Sequence, residues 1–293
     1  MTIKNETPSG TAHAVDVEQL RSQIERLVDE VASATMGTAD LQRALVAGMD
    51  DIAALLRAVP VAEGRLLERG IGLIAKFNPE LVVLSENLRL PVTKAAAELV
   101  AMNDAALTKA LSLDADSGGR KSYTPDLLIL NRSTRIAHLV DVKRSLGSYE
   151  VSRIAELKNR MLAAALVVPD LLYKEHRRLH VDEVRVVILN AENQRTDIEG
   201  GVWPLTHLDH LLEVEGAGEA MMHLRELFRR RVEENWLAAL NAHSADIRPV
   251  NPDTQTESTG DVSSSARGAD AVPQVLRVPV SIGFARPPRL ASA

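Results

Sequence analysis

The chain contains no cysteine, very few aromatic residues and no long apolar segment. The absence of cysteine from its 293 residues excludes disulfides and thiolate metal sites. Aromatic residues make up 3% and hydrophobic residues 45%, so Leu, Val, Ile and Ala must build the core. No apolar run reaches the roughly 18 residues of a membrane span, and the start MTIKNETPSG lacks a signal peptide's apolar region. We therefore expect a soluble, cytoplasmic protein with no membrane partner.

Basic residues are concentrated in the middle of an otherwise acidic chain. The whole sequence has a formal net charge of −6, yet residues 120–190 hold 13 Lys and Arg against 8 Asp and Glu. A basic block of this kind suits either an ordinary solvated face or a surface that meets phosphates.

The N-terminal pattern predicts a helical hairpin over residues 15–60, after a disordered segment at residues 1–14. The first helix has apolar residues at 3-4-3-4 spacing, and the second begins near Thr38 and ends before Pro60. The apolar positions of the first helix are Val17, Leu20, Ile24, Leu27 and Val31. This hairpin either packs on the same chain or forms a homodimerisation arm.

Residues 61–243 are predicted to form one α/β domain with its core at about residues 93–190. The expected order is a helix at 93–103, strands at 107–113, 123–131 and 136–142, a helix from about Tyr149, and a strand at 184–189. This order indicates a mixed sheet with an antiparallel meander, flanked by helices. A C-terminal helix at 219–241 closes the domain. Residues 244–293 are expected to be a mostly disordered tail, apart from a short strand within 275–282.

Two acids and a lysine accompany the two central strands. Asp126 opens one strand of the predicted hairpin, and Asp141 lies late on the next strand. Antiparallel pairing places the start of one strand beside the end of its neighbour, so the two carboxylates can meet at one edge. Strand alternation sends Lys143 to the same face as Asp141. Because two buried acids repel each other, a divalent cation such as Mg²⁺ would offset the cost, and we hypothesise a phosphodiester-cleaving site.

Pro125-Asp126, followed after fourteen residues by Asp141-Val142-Lys143, resembles the signature of the PD-(D/E)xK nuclease superfamily. The resemblance implies a restriction-endonuclease-like core made of a helix, a three-stranded antiparallel meander, a helix and a further strand. It also implies that Asp126 and Asp141 bind Mg²⁺, with Mn²⁺ as a substitute, and that Lys143 positions the attacking water.

The same resemblance implies a further metal-binding glutamate from the first core helix. Glu98 lies in the helix predicted at residues 93–103 and is the candidate, with Glu80 and Glu86 as less well placed rivals.

DNA is the expected partner. Arg120, Lys121, Arg144 and Arg153 lie in or near the predicted site and are the candidates for contacts with phosphates. The scarcity of aromatic residues leaves few platforms for stacking single-stranded bases, which favours duplex DNA. Two alternatives remain open at this point: a catalytically inactive nuclease-like module that binds DNA, and a helical interaction or scaffold protein.

Overall fold

A computed structural model describes residues 13–14, 17–85, 88–102, 112–115, 121–176, 178–192 and 194–247. The chain divides into two compact units, Met1–Arg248 and Pro249–Ala293, and all the described residues belong to the first. Most of the predicted tail at 244–293, including the strand at 275–282, and residues 1–12 of the predicted disordered segment at 1–14 lie outside the described residues. The prediction is wrong for residues 13–14, which form a short strand, and for residues 244–247, which belong to the last helix. Within the described part, no helix is both long and apolar enough to cross a bilayer.

The described residues form both helices and strands. The helices are α1 Val17–Met36, α2 Thr38–Ala47, α3 Met49–Ile74, α4 Lys94–Met102, α5 Val151–Ala165, α6 Val168–Glu175, α7 Leu208–Leu212 and α8 Ala217–Ile247. The strands are β1 His13–Ala14, β2 Leu81–Leu84, β3 Leu90–Val92, β4 Lys121–Tyr123, β5 Leu127–Asn131, β6 Ile136–Lys143, β7 Glu183–Asn190, β8 Val202–Pro204 and β9 Val214–Glu215.

A five-stranded mixed sheet lies at the centre, in the order β2-β5-β6-β7-β8. The first three strands form an antiparallel meander, and β7 and β8 then run parallel to β6. A parallel neighbour requires a crossover connection, which α5 and α6 supply between β6 and β7. The prediction of a mixed α/β sheet containing an antiparallel meander is therefore confirmed.

Helices cover both faces of this sheet, and all five residues of β5 are consequently buried. Leu127 and Ile129 point to the face covered by α1, α3 and α8. Leu128 and Leu130 point to the opposite face, covered by α5 and α6. Strand alternation thus places alternate residues of β5 and β6 in two separate hydrophobic cores.

The N-terminal helices pack on their own chain rather than projecting from it. Leu20 and Ile24 of α1 are buried in the same core as the C-terminal half of α3 and the N-terminal half of α8. The predicted end of the second helix before Pro60 is wrong, because α2 ends at Ala47 and α3 continues through Pro60. The break falls instead at Gly48, whose φ of 118° suits glycine. The buried stripe near the C-terminal end of α3 offsets the hydrogen bond that Pro60 removes.

The first strand of the meander is β2, which the sequence pattern did not predict. The predicted strand at 107–113 falls largely outside the described residues, and residues 112 and 113 belong to no strand. The helix predicted at 93–103 exists as α4, but it lies between β3 and β4, which form a separate two-stranded sheet. The helix directly before the meander is α3.

Candidate active site

Asp126 and Asp141 lie opposite each other at one end of the β5–β6 pair. Leu127 pairs with Val140 in the antiparallel register, so the next position of that register sets Asp126 against Asp141. The side chains of directly opposed residues in such a pair have Cβ atoms about 5 Å apart. Asp126 is also tied to the neighbouring strand, because its Oδ2 accepts a hydrogen bond of 2.6 Å from the Val142 backbone N–H.

Lys143 joins the two acids from the same strand. Its Nζ forms an ion pair with Oδ1 of Asp141, as alternation along β6 requires. The Asp141 side chain is only 6% exposed and that of Lys143 is 23% exposed, so water screens the pair weakly. The structure therefore brings together the three residues predicted to be catalytic.

Tyr123 is a fourth member of the site, and the sequence analysis assigned it no role there. It is the last residue of β4, it is buried, and its hydroxyl donates a hydrogen bond of 2.7 Å to Oδ2 of Asp141. The phenol thereby fixes the orientation of the carboxylate. Its position three residues before Asp126 was the only hint in the sequence that it could belong to the site. The structure was needed to show that β4 packs with the Tyr123 ring pointing into the core.

Mutual electrostatic effects shift the pKa values of these groups. Burial raises the pKa of Asp126, and repulsion from Asp141 adds to this effect, against the Val142 hydrogen bond and Lys143. Burial by itself would lower the pKa of Lys143, but attraction to Asp141 and Asp126 outweighs it and the pKa is raised. Lys143 therefore remains an ammonium group at neutral pH, and Asp126 is harder to ionise than an ordinary aspartate.

Glu68 is the helix glutamate that the structure couples to this site. It lies on α3, and burial together with the charges of Asp126 and Asp141 raises its pKa to about 7, against the lowering effects of Lys143 and Arg65. Sequence reasoning missed it because the first core helix was placed at residues 93–103. Recognising β2 as the first strand of the meander would have directed attention to α3.

The three glutamates considered from sequence have other positions. Glu98 lies on the exposed face of α4, with a 57% exposed side chain that pairs with Lys94 at 3.5 Å. The structure therefore places Glu98 on a helix between β3 and β4 rather than on α3, the helix that precedes the meander. Glu80 is exposed just before β2, and Glu86 lies outside the described residues.

The predicted phosphate contacts are distributed unevenly. Lys121 and Arg153 are exposed and have no ion pair within the described ranges, whereas Arg120 lies outside those ranges. Arg144 contacts Glu192 at 3.3 Å, which makes its guanidinium less available to a phosphate than the sequence suggested.

The acidic side chains at this site have the type of ligand atom that a hard cation prefers. Asp126, Asp141 and Glu68 supply only oxygen donors, the type that Mg²⁺ prefers. Oδ1 of Asp141 is buried and forms an ion pair with the Lys143 ammonium. The described residues nevertheless contain no group of three or more His, Cys, Asp or Glu already arranged as metal ligands.

Glu68→Gln should raise the melting temperature of the metal-free protein at pH 8. The pKa of Glu68 is about 7 in the folded chain against an ordinary value of 4.5. Between pH 4.5 and about 7 the folded state therefore binds more protons than the unfolded state. The free energy of unfolding consequently falls as pH rises through this range and stays lower above pH 7. Gln carries no charge and removes this deficit. We expect a gain of about 2–4 °C, the shift for about 1 kcal/mol after allowance for partial exposure.

Thermal unfolding in EDTA at pH 8 and pH 4.5 checks this expectation. The gain should be present at pH 8 and absent at pH 4.5, where Glu68 is protonated in the folded state. Glu80→Gln, at an exposed glutamate, is the matched control and should show no gain. Equal melting temperatures of Glu68→Gln and the wild-type protein at pH 8 would contradict the coupling of Glu68 to the two aspartates.

Comparisons of the chain with protein-family models, with curated proteins and with solved structures find no match.

Proposed function

We propose that this protein is a Mg²⁺-dependent nuclease that hydrolyses phosphodiester bonds of DNA. The observation that carries the proposal is the arrangement of Asp126, Asp141 and Lys143. Two aspartates oppose each other across an antiparallel strand pair, and a partly buried ammonium lies on the same face. Two carboxylates that share a single ammonium at the end of a sheet repel each other and are partly removed from water, and both effects cost free energy. A bound cation facing a phosphate would offset that cost.

The order of the core elements supports the same proposal. Helix α3, the antiparallel meander β2-β5-β6, the crossover helices α5 and α6, and the parallel strand β7 follow the order of a restriction-endonuclease-like core. Segment β3-α4-β4 is then an insertion between the first and second strands of the meander. It contributes Tyr123, which orients Asp141.

Each residue has a distinct part in the proposed reaction. Asp126, Asp141 and Glu68 would hold Mg²⁺, with Mn²⁺ as a substitute. Such an ion supplies Lewis-acid polarisation of the phosphodiester and lowers the pKa of a coordinated water. Lys143 keeps its proton because its pKa is raised, so its N–H groups donate to the attacking water or to a phosphate oxygen and stabilise developing negative charge.

Removal of the metal tests this function directly. Purified protein incubated with plasmid, linear duplex and single-stranded DNA should cleave duplex DNA in Mg²⁺ or Mn²⁺ and should cease to cleave in EDTA. Re-addition of Mg²⁺ should restore cleavage. Cleavage that continues undiminished in EDTA would overturn the mechanism. Binding of DNA without cleavage under any of these conditions would favour an inactive DNA-binding module.

A further inference from the structure

A groove runs along the outer edge of the sheet, between α1, α3 and the edge strand β2. Its volume is about 940 Å³. Residues on one side of α1 and on one side of α3 form its walls, and alternate residues of β2 form its floor. These spacings are the ones that place residues on a single face of a helix or of a strand. We call it the basic groove, and its charged lining consists of Arg26, Glu30, Arg65, Glu68, Arg69 and Lys76.

Positive charge in the basic groove is only partly neutralised. Arg69 is held by Glu30 through two hydrogen bonds of 3.0 and 2.9 Å. Arg26, Arg65 and Lys76 are exposed and form no ion pair within the described residues. Three cations therefore line a shared channel without forming a salt bridge within the described residues, although Glu68 lies near Arg65, and this arrangement fits a polyanion.

The basic groove adjoins the candidate active site at Glu68, which lines the groove and is electrostatically coupled to Asp126, Lys143 and Asp141. The strand register also places one end of the groove next to the start of β5. Leu84 of β2 pairs with Leu128, so the groove residue Ser85 lies beside the position just after Asp126.

The span of the cations fits an extended strand of nucleic acid rather than a small anion. Arg65 and Lys76 are eleven residues apart along α3 and the turn that follows it, a separation of about 16 Å at the helical rise. That length corresponds to about five base-pair steps of one strand at 3.4 Å per step. A single phosphate or nucleotide could not contact both ends.

We propose that the basic groove binds the sugar-phosphate backbone of the DNA strand that enters the active site. Arg26, Arg65 and Lys76 contact successive phosphates, and the strand leaves the groove past Glu68 towards Asp126 and Asp141. This inference rests on the proposed nuclease function for its substrate, but it concerns binding and can be tested without cleavage.

The test is the salt dependence of DNA binding by the full chain in EDTA. The triple variant R26Q/R65Q/K76Q and the wild-type protein are titrated onto a fluorescent 20-base-pair duplex between about 50 and 200 mM salt, the range over which counterion release is resolved. Loss of three phosphate contacts should reduce the slope of log K against log salt by about 2.7, since each contact contributes about 0.9. K76Q alone should reduce it by about 0.9.

A matched control changes the same net charge elsewhere on the surface. R57Q/R178Q/R230Q replaces three exposed arginines outside the groove and should leave the slope close to that of the wild-type protein. Melting temperatures of the two triple variants should agree with that of the wild type. A slope unchanged in R26Q/R65Q/K76Q, or equally reduced in the control, would overturn the inference.

Results for cleavage distinguish this inference from the proposed function. If the wild-type protein binds duplex through the groove but never cleaves it in Mg²⁺, the nuclease proposal fails and the groove assignment stands. If R26Q/R65Q/K76Q binds and cleaves like the wild-type protein, the groove assignment fails and the nuclease proposal stands.

Discussion

Asp141→Asn should abolish cleavage, with a fall in rate of about 10³-fold or more, the scale expected when a preorganised charged group is removed from a reacting centre. Asp141 is the most deeply buried acid of the site and contacts both Tyr123 and Lys143. The amide keeps the shape of the carboxylate but loses the negative charge that would hold the cation. DNA binding should survive, because the basic groove is untouched.

Rates measured on linear duplex in Mg²⁺, with DNA binding measured in EDTA, check this expectation. Asp182→Asn is the matched control, since Asp182 is an exposed acid paired with Arg135 at 3.6 Å before β7. It should cleave at the wild-type rate. Wild-type activity in Asp141→Asn would remove the basis of the proposed site.

Lys143→Met should affect both activity and stability. The variant loses the ammonium that donates to water or phosphate, and cleavage should fall by about 10²–10⁴-fold. It also leaves Asp141 buried without its cation, and removal of one partner from a buried pair costs about 3–5 kcal/mol in the free energy of unfolding. The pKa of Lys143 is raised above its ordinary 10.5, so its contribution is complete below pH 10.5 and is lost as pH rises through the folded value.

Urea unfolding at pH 7.5 and at pH 11 or above measures both parts of the stability prediction. The difference in the free energy of unfolding between Lys143→Met and the wild-type protein should be large at pH 7.5 and should become smaller at alkaline pH. Lys158→Met is the matched control, because Lys158 has a similar exposure of 26% but pairs with the 59% exposed Asp197. That surface pair should cost about 0–1 kcal/mol.

The double variant Asp141→Asn/Lys143→Met separates loss of the pair from loss of one partner. Because no uncompensated charge then remains at the pair, the double variant should be more stable than the sum of the single changes predicts, with a coupling of about 0.5–3 kcal/mol. Simple additivity would contradict a direct interaction between Lys143 and Asp141.

The central part of the site could be predicted because its residues are close in the sequence. A short link joins β5 to β6, so hairpin pairing alone fixes which end of each strand meets the other. Asp126, Asp141 and Lys143 followed from that register and from alternation, without knowledge of the other elements. The mixed sheet followed similarly from a meander joined to a helical crossover.

The predictions of the end of the second helix and of the first strand of the meander were wrong, because the local sequence pattern there conflicted with the packing of the folded chain. Pro60 is a strong helix-breaking signal, yet α3 continues through it because Leu66, Leu67, Ile71 and Ile74 are fully buried beyond it. Strand β2 contains only four residues, too few to show alternation within a segment that otherwise has helical periodicity.

The amino-acid sequence by itself determined the paired acids, the lysine beside them and the α/β class, since hairpin register and alternation are local properties of the chain. Only the tertiary structure decided that Glu68 of α3 is coupled to the two aspartates, that Tyr123 holds Asp141, and that α1 faces α3 across a basic groove. Those relations join segments far apart in the sequence, and the packing of apolar faces, rather than any local pattern, sets which segments meet.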